Sequence, residues 1–288
     1  MDTRLVALAG VAALFALSGS RGGSKDRKGD GRSRANQGSG KPGDSPFLSG
    51  DSVLEEATPL PSPPLRNGRR TAAGYVMTGL PPQLARGADQ GDDEAQILQR
   101  RGARAYAEEL SRQGIKLLFS VEPSIPALDQ ELARLGIKRL NQDCLDAGKY
   151  TCSDNENYWN FHWWKDYDQD WTSPLLDAVD NRYFPDEIAI QCTHGVDRTG
   201  NIIAFLLATR HGVSIPDAYY AVVRRRASDV EGVASVLAEY GINDRRDVDD
   251  PTVGIYTYRG NGMSANTSGF KTYMREVIGR ALDNGASW

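Results

Sequence analysis

A chain of 288 residues, 40% hydrophobic and 25% charged, carries enough apolar side chain for one sizeable α/β core with extensions. A net charge of -4 and a pI near 5.5 supply no bulk attraction to nucleic acid or an anionic membrane surface, so no nucleic-acid partner is expected and any basic site must be local. Three cysteines, Cys144, Cys152 and Cys192, are too few for a disulfide scaffold, and His162, His194 and His211 stand in no ligand-like spacing to them; neither a metal nor another cofactor is expected.

Residues 1–20 read as an export signal or membrane anchor. An apolar stretch from Leu5 to Leu17 follows Arg4, and Ala16-Leu17-Ser18 supplies small residues where a signal peptidase cuts. The chain is accordingly expected to be exported (periplasmic or secreted) or membrane-tethered, and cytoplasmic only if that stretch is instead a buried helix. From 21 to 72, Gly, Ser, Pro, Arg and Lys dominate and aliphatic side chains are scarce, which predicts a flexible linker.

The folded domain is expected over 73–227. A helix-forming stretch from about Asp92 to Gln113 stops at Gly114, "IKLLFSV" reads as a buried strand, "IPALDQELARLG" as a helix with Leu128, Leu132 and Leu135 on one stripe, and "IKRLNQD" as a strand. After a polar aromatic loop, "SPLLDAVDNRY" restarts a helix with Ser173 as its cap and Pro174 at its first position. "DEIAIQC" is a further strand, "NIIAFLLATRHG" an apolar helix beginning near Thr199, and "SIPDAYYAVVRRRAS" a helix capped by Ser214 with Asp217 three residues on. Residues 228–288 form a C-terminal extension packed on or following the domain, with "VGIYTYRG" as a strand or aromatic loop and a last helix near "FKTYMREVIGRAL". The alternation of strands and helices predicts an α/β fold with a central mixed, largely parallel sheet flanked by helices.

The densest chemistry lies in "QCTHGVDRTG", residues 191–200. A strand delivers Cys192 to its carboxyl end, a short loop contains Gly195, and a helix then starts. Backbone N–H groups and the positive end of the helix dipole therefore surround one point, a place for an oxyanion. Arg198 can grip two oxygens of that anion, and the same positive field favours the nucleophilic thiolate of Cys192. The phosphate-binding loop is thus Thr193, His194, Gly195, Val196, Asp197 and Arg198, acting through its backbone, with Thr199 offering a hydroxyl beside the sulfur.

In these residues the chain resembles the cysteine-dependent protein tyrosine and dual-specificity phosphatases, whose signature is Cys, five residues, Arg, then Ser or Thr. The order of elements from about 75 to 227 is similar to their compact dual-specificity branch, so the resemblance covers roughly half of the chain. Gln191 stands where the family usually has histidine. The loop is also similar to that of RNA triphosphatases, and its Asp-Arg-Thr-Gly ending to that of phosphoinositide phosphatases, which usually carry lysine at the place of Val196.

What the resemblance implies is hydrolysis of phosphotyrosine, and also of phosphoserine or phosphothreonine, through a cysteinyl-phosphate. A phosphoinositide, an inositol phosphate or an RNA 5′-triphosphate is the alternative substrate, and a phosphate-binding module without turnover the alternative of another class. A phosphorylated protein or other phosphomonoester is the expected partner. The resemblance also implies a general-acid aspartate ahead of the signature strand. "WWKDYDQDWTSP" is similar to the Trp-Pro-Asp loop of the tyrosine phosphatases and marks Asp166, with Asp168 and Asp146 as alternatives. In an oxidising compartment Cys144 and Cys152 either close a small loop or remain as two thiols.

Overall fold

Along the central strands, side chains alternate between two apolar faces, as the period of two in an extended chain requires. Val76, Leu118 and Ala189 share one core with the stripe Ala103, Tyr106, Ala107 and Leu110 and with Leu128 and Leu132. Met77, Phe119, Ile190 and Cys192 join the other core, which is the larger. The computed structural model describes residues 50–85, 93–122, 125–141, 171–222, 227–247 and 265–288.

The strands are β1 (Thr58–Pro59), β2 (Arg66–Arg70), β3 (Val76–Gly79), β4 (Leu117–Ser120), β5 (Lys138–Asn141) and β6 (Ile188–Cys192). They form one six-stranded sheet in the order β1-β2-β3-β6-β4-β5. The first three pair antiparallel at one edge, while β3, β6, β4 and β5 run parallel. The chain is therefore α/β, with a mixed, mostly parallel sheet. The central strand is β6, the last to enter, and it lies between the carboxyl ends of β3 and β4, where open sheets of this class form crevices.

The helices are α1 (Pro82–Ala85), α2 (Asp93–Arg112), α3 (Pro126–Arg134), α4 (Thr172–Asn181), α5 (Asp197–Arg210), α6 (Ile215–Val222), α7 (Ala227–Glu239) and α8 (Ser268–Asp283). α2 and α3 cover one face through the stripes just named. On the other face α5 is buried from Thr199 through Ala208, because α6 and α8 pack on it from outside while the sheet lies beneath. Phe270, Tyr273, Met274, Val277, Ile278 and Ala281 repeat at helical spacing along α8 and enter that same core. The C-terminal stretch is thus part of the larger core.

Three sequence expectations need correction. The linker expected over 21–72 ends sooner, since β1 and β2 lie within it and Val53 and Leu65 are fully buried. "RNGRR" has no apolar alternation, and its strand is held by pairing with β3. α4 begins at Thr172, ahead of the expected Ser173 cap, because Trp171, packed on Phe119 and Phe205, fixes the entry of the helix. α5 begins at Asp197, two residues before Thr199. Ser214 behaves as expected: its hydroxyl donates to Asp217 Oδ2 at 2.5 Å and accepts the Asp217 N–H at 3.2 Å. The segment 1–49, most of the linker and "VGIYTYRG" lie outside the described residues. Among the described residues no helix is long and apolar enough to cross a membrane.

Candidate active site

Parallel pairing places Cys192 opposite Gly79 of β3 and Gln191 opposite Ser120 of β4. The loop that follows turns sharply upward against β3. Gly195 has φ +68°, and a Cβ there would lie 2.3 Å from the Thr78 carbonyl carbon and 2.4 Å from the Gly79 nitrogen. Only glycine meets both conditions. With the loop pressed in this way, the Gly195 N–H points at Cys192 Sγ at 3.1 Å, and Cys192 is 2% exposed at the foot of the loop. Gly200 N–H then bonds Val196 O at 2.8 Å as the first turn of α5 forms, so the first N–H groups of the helix point toward the same region.

Arg198 is the fixed cation of the site. Its Nη2 donates to Glu122 Oε1 and to Thr193 Oγ1, and its Nη1 approaches Val121 O at 3.4 Å. Burial works against the charge, but Cys192 and Glu122 beside it outweigh burial and hold the guanidinium above its ordinary value. Glu122, just past the end of β4, also accepts the Thr193 N–H and the Thr193 hydroxyl, each at 2.6 Å.

Beneath the loop a polar network replaces apolar packing. Ser120 Oγ donates to Gln191 Oε1 at 2.7 Å and accepts from Arg139 Nη2 at 3.0 Å and from the Glu122 N–H at 3.2 Å. Arg139 also donates to the Glu122 carbonyl at 3.0 Å and to Asp129 Oδ1 at 2.7 Å. Glu122 is therefore anchored by its backbone and aimed by its side chain. Gln191 takes part through its carbonyl oxygen, and a cation is supplied by Arg139 through the intervening Ser120 hydroxyl.

Of the residues expected at the site, Cys192, Thr193, Gly195, Val196, Asp197, Arg198 and Thr199 lie in this loop and helix start. His194 is exposed at the loop's crest, its imidazole held below the ordinary value by desolvation and by the charge of Arg66. Thr199 is fully buried, and its Oγ1 has no hydrogen-bond partner among the described residues. Asp197 opens α5 and its carbonyl accepts from Asn201 Nδ2 at 2.9 Å. Asp146, Asp166, Asp168, Cys144 and Cys152 lie outside the described residues.

Sequence reasoning missed Glu122, the arginines and asparagine of β2 that touch the loop, and Tyr273 of α8, whose hydroxyl approaches Arg198 O at 3.5 Å. None had a local signal: each is brought in by strand register or by helix packing across the sheet. Chemically, a sulfur that receives the Gly195 N–H, a fixed guanidinium, and a hydroxyl with no partner among the described residues suit an oxyanion held beside a nucleophile. Comparison of the chain with protein-family models, with curated proteins and with solved structures returned no match.

Proposed function

We propose that the chain is a cysteine-dependent phosphatase that hydrolyses phosphotyrosine, and also phosphoserine or phosphothreonine. The observation that carries this reading is the convergence of the Gly195 N–H on Cys192 Sγ at 3.1 Å with Arg198 and the start of α5 on the same side of the loop. The position of the cysteine strand between two parallel neighbours supports a phosphatase-like fold. The apolar segment from Leu5 to Leu17 supports export or membrane attachment.

The loop N–H groups and Arg198 bind the phosphoryl oxygens, and the Cys192 thiolate attacks phosphorus in line with the leaving oxygen. The S–P bond forms as the P–O bond breaks, and an aspartate, with Asp166 first in line before Asp168 and Asp146, gives the leaving oxygen its proton. Water then attacks phosphorus, the S–P bond breaks, and the aspartate takes the water's proton. The Thr199 hydroxyl donates to the departing sulfur, and inorganic phosphate leaves.

A panel of phosphopeptides, inositol phosphates, phosphoinositides and triphosphorylated RNA, assayed for phosphate release with the full chain, tests the reading. Release from phosphotyrosine peptide that is abolished by Cys192→Ser is the expected result. Preferred release from an inositol or RNA substrate would replace the substrate class, and tight binding without release would make the chain a phosphate-binding module.

A further inference from the structure

β2 is irregular where it passes the loop. Arg66 pairs with Gly79 and Arg69 with Met77, so three steps along β2 oppose two along β3. The extra residue is a bulge, and Asn67 within it takes φ 53°, a left-handed conformation that asparagine tolerates better than most side chains. The bulge turns side chains of β2 toward the candidate site. Asn67 Nδ2 donates to His194 O at 2.7 Å, Arg69 Nη2 to Gly195 O at 3.2 Å, and Arg66 Nη1 reaches Thr193 O at 3.4 Å. Successive carbonyls of the loop are thus gripped from outside by one short strand.

A trans peptide is planar, with its C=O and N–H pointing in opposite directions. Gripping the carbonyls of Thr193, His194 and Gly195 from outside therefore turns the N–H groups of His194, Gly195 and Val196 inward. One of these is visible doing so: the plane whose carbonyl Asn67 holds is the plane whose N–H points at Cys192 Sγ. Left to itself a short loop would let its amides rotate toward water, and each misdirected N–H would be a lost oxyanion donor.

We propose that the bulged segment Arg66–Arg69 is the positioning element of the oxyanion cradle, with Asn67 and Arg69 setting the direction of the loop amides. This rests on the reading of 192–198 as a phosphoryl-binding loop. The two residues act through the loop and are positioning residues. The charge of Arg69 adds to the effect, since Arg69 is 8% exposed beside the loop.

Asn67→Gly removes the side chain without straining its backbone, and Arg69→Met removes the guanidinium while keeping the stem. Arg70→Met is the control on the same strand: Arg70 donates to the carbonyls of Gly74, Asp186 and Gln113 and touches nothing in the loop. Each full-length variant is measured for kcat and KM on an aryl phosphate, for vanadate affinity by calorimetry and for melting temperature. Asn67→Gly and Arg69→Met are expected to lose kcat and vanadate affinity together by about tenfold to a hundredfold, the scale of a misplaced catalytic group, with KM changed far less. Arg70→Met is expected to lower the melting temperature alone. Wild-type kcat and vanadate affinity in Asn67→Gly and Arg69→Met would overturn the proposal, as would losses that merely follow the melting temperature as in Arg70→Met. A wild-type chain that neither binds vanadate nor turns over would overturn the loop reading and this proposal with it. A wild-type chain that binds vanadate without turnover still decides the proposal through the affinity measurement.

Discussion

The Glu122 carboxylate accepts the Thr193 backbone N–H at 2.6 Å while the same oxygen, Oε1, receives the Arg198 guanidinium. Two residues past the end of β4, a single side chain thereby holds both the first amide of the loop and its cation. Charge-assisted hydrogen bonds of this kind contribute about 1.5–3 kcal/mol each, so releasing the guanidinium is expected to cost turnover. Glu122→Ala should lower kcat/KM on an aryl phosphate by about tenfold to a hundredfold, and Glu122→Gln, which keeps one acceptor oxygen, by less. Steady-state kinetics on variants first shown to melt cooperatively checks this, and an unchanged kcat/KM in Glu122→Ala would contradict the role given to the pair.

Gly195 and Gly212 have nearly the same left-handed backbone, φ +68° and +66°, yet different surroundings: a Cβ at 195 meets the Thr78–Gly79 backbone, and one at 212 meets nothing within 4 Å. Gly212→Ala should cost only the conformational penalty, about 1–2 kcal/mol. Gly195→Ala adds overpacking of about 1–3 kcal/mol and pushes the loop off β3, so it should melt lower than Gly212→Ala and lose vanadate binding, which Gly212→Ala keeps. Equal melting temperatures with retained vanadate binding would show that the loop does not depend on its contact with β3.

Much of the sheet and the loop could be read in advance because their signals are local. "LLFS" and "IAIQC" are short apolar runs, α3 and the last helix carry apolar stripes, and Cys192 through Thr199 lie within one continuous stretch. β2 could not be read this way. The polar ends of Arg66 and Arg69 find loop carbonyls 127 and 126 positions later in the chain, and no window of sequence contains both partners. Glu122 was hidden for the same reason: it is a lone acid after a strand until the Ser120–Gln191 register sets it beside the loop. Trp171 shows tertiary packing overriding a capping signal, since its burial against Phe119 and Phe205 outweighs the Ser-Pro pair that follows.

α8 should prove inseparable from the domain. Met274 and Val277 are fully buried against the α5 face of the sheet, and truncating a core methionine to alanine typically costs about 2–5 kcal/mol. Met274→Ala in the full chain is therefore expected to lower the unfolding free energy by that amount, read from urea unfolding, whereas Thr272→Ala at an exposed position of α8 should change it little. A silent Met274→Ala would mean that the C-terminal helix is only loosely docked.

The proposed general acid is separable by leaving group. Phenolate needs a proton to depart and p-nitrophenolate does not, so removing the acid should cut kcat on phenyl phosphate by about a hundredfold and on p-nitrophenyl phosphate far less. Single Asn substitutions at Asp166, Asp168 and Asp146, compared on both substrates, should reveal one variant with that asymmetry. Three variants with equal, leaving-group-independent behaviour would place the acid elsewhere.

Acid quenching during turnover of a phosphotyrosine peptide tests the proposed covalent step most directly. The digest should contain the peptide spanning Cys192 with the added mass of one phosphoryl group, labile as a phosphorothiolate ester, and Cys192→Ser should show neither this adduct nor turnover. Phosphate release by the wild-type chain with no phosphoryl group on Cys192, or turnover that survives Cys192→Ser, would contradict it.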